Sequence, residues 1–164
     1  MTRQVSLRDF DPDIVAQYRI TTEELARVRR YVQLLQSRLP YTTWDDIALG
    51  GYYGTSALLH EIVELRRLLA QDDYLLQRDE ESVRLFLEQH KEAHGAALSA
   101  EYLYLQDKIR EVFGVYLNIA ALVLANSRGE WENLFETNLP FTPVTPAELE
   151  EAEEYLERLK EVTR

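Results

Sequence analysis

The chain has three histidines, and all of them stand in two short stretches that also carry glutamates. His90 and His94 are four residues apart and Glu101 follows seven later; upstream, His60 is followed by Glu61 and Glu64. At 3.6 residues per turn, His90, His94 and Glu101 fall within about 40° of each other. That arc lies in the apolar stripe formed by Val83, Phe86, Leu87, Ala97, Leu98, Tyr104, Leu105 and Val112. Two imidazoles and a carboxylate are therefore aimed at the core. An unpartnered buried carboxylate costs several kcal/mol out of the roughly 5–15 kcal/mol that stabilises a domain, so the burial needs a compensating cation or hydrogen bonds.

An i, i+4 pair of histidines suits bidentate grip on one ion, and the His60/Glu64 pair repeats the spacing. Imidazole and carboxylate ligands point to a divalent transition metal, zinc first, with Mn, Fe or Ni also compatible. In one arrangement His60, His90 and His94 hold a single ion, Glu101 or Glu64 completes or supports the shell, and Glu61 is the catalytic base toward an activated water. In the other, Glu64 and Glu101 bridge two ions. Without a metal, the same residues form a buried hydrogen-bonded network in which tyrosines such as Tyr102 and Tyr104 share.

The His60-Glu61 start resembles the His-Glu-x-x-His helix of zinc metallopeptidases, whose Glu activates water. Here Glu64 stands where the second histidine would be, and the peptidase activity is not carried across. The Glu-x-x-His pairs of ferritin-like diiron proteins are missing, because Leu87 and Lys91 precede His90 and His94 by three.

Composition narrows the classes further. With no cysteine, any metal is held by nitrogen and oxygen, and disulfides and cysteine nucleophiles drop out. A net charge of −11 repels phosphate backbones, so no nucleic-acid partner is expected. The longest apolar run, 119–125, falls far short of a bilayer span, so no membrane partner is expected either. Charged residues at Arg3, Arg8, Asp9, Asp11 and Asp13 interrupt any secretory pattern, which points to a cytoplasmic location.

The elements that must position these residues are helical. At 164 residues the expectation is one all-α domain, a bundle of about five helices with a packing arm at 1–20. Thr21 and Glu24 resemble a capping box for a first long helix carrying Leu25, Val28, Val32, Leu35 and Leu39. A short helical piece is expected around Trp44 to Leu49, stopped by Gly50-Gly51, and the helix bearing His60 is expected to start at Thr55 or Ser56. A helix from Asp79 or Ser82 should break at Gly114, leaving Tyr116 to Ala125 as a separate buried helix. After a loop or lid at 127–144, Thr145, Pro146 and Glu148 cap a last helix with Leu149, Ala152, Tyr155, Leu156, Leu159 and Val162 inward.

Two functions fit this reading. One is a metal-binding helical protein, in its fullest form a metal-dependent hydrolase acting on a small molecule or peptide. The other is a non-catalytic interaction or regulatory protein that presents an acidic surface and the 131–141 segment to a protein partner, without metal. The acidic C-terminal helix would also suit a homodimer.

Overall fold

The computed structural model describes residues 5–36, 44–69, 80–126 and 142–162, with backbone alone at 34–36, 69 and 80–91, and helical periodicity governs these stretches. Among the described residues there are seven α-helices and no strands. They are α1 (Pro12–Gln17), α2 (Thr22–Gln36), α3 (Trp44–Ala48), α4 (Gly51–Leu69), α5 (Glu80–Phe113), α6 (Ile119–Asn126) and α7 (Pro146–Lys160). The excess over five comes from α1 and α3, pieces too short to show a periodic stripe.

The arm packs inward as expected. Asp11 caps α1 by accepting the Asp13 N–H at 3.0 Å, and Phe10 is buried in a single bridge to Gly51. The Thr21 hydroxyl accepts the Glu24 N–H at 3.1 Å and starts α2. The Glu24 carboxylate does not close the box, because it forms a fork with Arg66 of α4 at 2.6 Å on each oxygen.

Helix α4 begins four residues earlier than the N-cap chemistry suggested. The Thr55 and Ser56 hydroxyls are buried and donate back to Gly51 O and Tyr53 O, both at 2.6 Å, as residues inside a helix do. The glycines serve close approach. A Cβ on Gly50, which sits at φ +64°, would lie 2.9 Å from Asp9 O, and one on Gly54 would lie 2.9 Å from Ile47 O. Gly50 also ends α3, its N–H bonding Ile47 O at 3.0 Å.

Helix α5 runs for 34 residues, about 50 Å at 1.5 Å per residue, passes through Gly95 without interruption and stops where Gly114 takes φ +72°. Its largest interface is with α4. The cross-links His60–Glu101, Glu64–His94 and Arg67–Glu92 fall in opposite sequence order, so the two helices are antiparallel. Ala97, Leu98, Tyr104 and Leu105 are buried along α5 as the stripe predicts, but Val112 is 38% exposed. It lies in the last turn, beyond the point where Gly51 begins α4, and has no helix to cover it.

Helix α6 packs against α7, and α7 also touches α4 and α5. Residues Ile119 through Val123 of α6 are buried around the whole circumference, and the Thr145/Glu148 capping box with Pro146 at N1 starts α7. Two apolar clusters result among the described residues: one joins the arm, α2, α3, α4 and, from α5, Ala93 and Tyr104; the other joins α5, α6, α7 and, from α4, Tyr53. No described helix is long and apolar enough to cross a membrane. The 131–141 segment lies outside the described residues.

Candidate metal centre

Polar residues of both sequence stretches meet where α4 and α5 cross. Helix α4 supplies His60, Glu61 and Glu64, and α5 supplies His94 and, two turns further on, Glu101. The His60 Nδ1 and Glu101 Oε1 are 2.8 Å apart, and His94 Nδ1 and Glu64 Oε1 are 2.9 Å apart. The two imidazole rings are edge to face with centroids 4.9 Å apart. His60 Nε2 faces the same Glu64 Oε1 at 3.6 Å.

Burial raises the stakes of this geometry. Glu64 is 1% exposed, Glu61 7% and Glu101 8%; the His60 and His94 side chains are 12% and 17% exposed. In a neutral His60 that donates Nδ1–H to Glu101, Nε2 carries a lone pair directed toward a carboxylate oxygen. Two lone pairs facing each other in a dry site repel, so a proton or a metal ion belongs between them. Burial pulls the His60 pKa down, but the charge of Glu101, its hydrogen bond, the bond toward Glu64 and the charge of Glu61 hold it well above 6.5.

Glu61 is driven the other way for a carboxyl. Burial first, then the charge of Glu64, push its pKa from 4.5 up to about 8; His60 pulls against this, while the Glu101 charge and a hydrogen bond with Glu64 add to it. Its Oε2 atom is buried without a hydrogen-bond partner.

His60, Glu64 and His94 each offer a ligand atom, and these atoms all lie within 4.8 Å of one another, a group that could hold a metal ion. Glu101 is brought to the site against His60 Nδ1, the place of a carboxylate that orients a metal-bound imidazole. Glu61 is adjacent to Glu64 but falls outside the three-residue group. His90 lies on α5, with its side chain outside the described residues.

The chain matches no family model, no curated protein and no solved structure. Its function has to be read from this geometry.

The tyrosines differ from expectation. Tyr104 donates to Asp11 Oδ2 at 2.8 Å, and the Tyr102 oxygen accepts from Asn126 at 3.4 Å. The phenol that joins the cluster is Tyr31 of α2, which donates to Glu64 Oε2 at 2.6 Å and is buried. The sequence held a signal for it: Tyr31 is three residues after Val28 on the inward face of α2, a lone hydroxyl among aliphatic residues. A separate groove of about 560 Å³ between α1 and α5, lined among others by Asp13, Leu103, Asp107 and Tyr116, includes none of the His/Glu residues.

Proposed function

We propose that this protein binds a divalent transition metal between α4 and α5 through His60, His94 and Glu64, with Glu101 orienting His60. The observation that carries this reading is the convergence of three ligand atoms, from two helices, within 4.8 Å. Donor chemistry supports it: two imidazole nitrogens and a carboxylate suit zinc, and also Mn, Fe or Ni. A dication would take the place of the proton that otherwise separates His60 Nε2 from Glu64 Oε1, so uptake releases protons and strengthens as pH rises.

In its catalytic form this reading is a metal-dependent hydrolase. The ion would polarise the scissile bond and activate water. Glu61, buried beside Glu64 with one oxygen unpartnered, would receive the proton from that water and return it to the leaving group. The small exposure of the two imidazoles favours a small substrate over a folded protein.

A second reading is favoured by the hydrogen bonds themselves. Each histidine already has a carboxylate on Nδ1 and Tyr31 occupies Glu64 Oε2, so the cluster would also serve, metal-free, as a cross-brace between α2, α4 and α5 in an interaction protein.

Elemental analysis of untagged protein purified from metal-replete cells separates the two. The metal reading expects about one ion or more per chain, lost in His94→Ala. Less than about a tenth of an ion per chain would leave the cross-brace reading standing alone, since a site of this donor set loads well when metal is supplied.

A further inference from the structure

The geometry points to a site for two dications, bridged by Glu64, with Glu61 supplying the carboxylate of the second position in place of the role of base; this rests on the metal reading above and not on its catalytic form. Glu64 is used from both sides. Its Oε1 is approached by His94 Nδ1 at 2.9 Å and by His60 Nε2 at 3.6 Å, while Oε2 is approached by the Tyr31 hydroxyl at 2.6 Å. A carboxylate whose two oxygens address different partners has the form of a bridging ligand.

Glu61 supplies the independent observation. It is 7% exposed, it stands next to His60 and three residues before Glu64 on α4, and its Oε2 has no hydrogen-bond partner among the described residues. A buried polar oxygen left unsatisfied is rare in folded proteins, and an ion is one of its few explanations. The group whose ligand atoms converge within 4.8 Å is His60, Glu64 and His94, without Glu61. A second ion on the Glu61 side of Glu64 would give Oε2 its partner.

Charge agrees with the count. Glu61, Glu64 and Glu101 bring three negative charges when ionised, and neutral histidines bring none. One dication leaves the buried cluster at −1; two bring it to +1, which a single anion from solvent cancels. The first position, with its imidazoles, suits zinc or iron; the second is richer in carboxylate and suits harder ions such as Mn(II). Bridged pairs of this kind sit about 3.5–4 Å apart, close enough for their unpaired spins to couple.

The test is titration of chelator-treated, untagged protein with Mn(II), with bound metal counted by elemental analysis and spin coupling read by electron paramagnetic resonance. Two ions per chain with a coupled spectrum are expected for the native chain. For Glu61→Gln, one ion per chain and an uncoupled spectrum are expected, with circular dichroism and the metal-free melting temperature reporting that the fold is kept. One ion in the native chain, or two in Glu61→Gln, overturns the two-ion site and leaves the single-ion reading intact. No bound ion in the native chain overturns both.

Discussion

Two buried polar clusters hold α5 in place, and they solve the same electrostatic problem differently. Around Asp11, the Tyr104 hydroxyl donates to Oδ2 at 2.8 Å, the Lys108 ammonium lies 3.6 Å away, and Thr55 Oγ1 accepts the Asp11 N–H at 2.8 Å. Lys108 also sits over the Tyr52 and Tyr104 rings and bonds Glu111 at 3.0 Å. The compensating charge there is fixed to the chain. At the crossing with α4, three glutamates meet two histidines, and on the reading proposed above the compensating charge would be one that comes and goes: a proton or a metal ion. The first arrangement is what a structural brace needs, and the second is what a binding site needs.

The contrast can be broken most forcefully at Asp11. Asp11→Ala takes the acceptor from the buried Tyr104 hydroxyl, leaves Lys108 with Glu111 alone and removes the cap of α1, and breaking a buried pair of this kind costs about 3–5 kcal/mol. For a chain of this length, thermal denaturation should show a melting temperature about 10 °C lower. The loss should be the same with and without chelator. A loss that disappears when metal is removed would tie the brace to the metal site and dissolve the distinction.

Next in size is Glu101→Gln. The amide still reaches His60 Nδ1 but no longer brings a full charge, so the imidazole is oriented less firmly and is a weaker donor. Removing such a carboxylate lowers metal affinity by about 10- to 100-fold, to be measured by competition with a metal-sensitive dye. Unchanged affinity would mean that Glu101 holds α5 to α4 and does nothing for the ion.

How much of this was legible beforehand follows from the length scale of each signal. The break at Gly114 and the α7 cap are local, set by one glycine in the left-handed region or by three neighbouring side chains, and they stand where the sequence places them. The start of α4 was missed because Thr55 and Ser56 are good caps by type, and only the approach of Asp9 and Ile47 to Gly50 and Gly54 shows that the chain is already helical there. At the site, helical spacing was enough to turn His94 and Glu101 inward, while it put His60 and Glu64 on the one polar arc of their helix, and only the packing of α5 on α4 turns that arc to the core. Spacing alone turns Tyr31 inward on α2, but its meeting with Glu64 needed the packing of that helix on α4, which no spacing within a single stretch encodes.

The smallest expected effect is on the pH dependence of the metal-free protein, and its sign is opposite to that of the loaded one. His60 has a folded pKa raised above 6.5, so its contribution to stability is complete below that value and is lost as pH rises through the folded pKa. Glu61, raised from 4.5 to about 8, adds no penalty below about 4.5 and a growing one up to about 8, because the unfolded chain ionises first. Both groups therefore weaken the metal-free fold as pH rises, with Glu64, Glu101, His94 and Tyr31 as the groups facing them. Chelator-treated protein should melt about 5 °C lower near about pH 7 than near about pH 5.5. Protein saturated with metal should gain stability over the same interval, since protons and the ion compete for the same nitrogens. Lys108 does not enter this window, because Glu111 and Asp11 outweigh its burial and keep it above its ordinary value of 10.5. Curves that fall in parallel with and without metal would place the titrating groups outside the ion's reach, and the crossing of α4 and α5 would then be a second brace, one that is protonated instead of permanently charged.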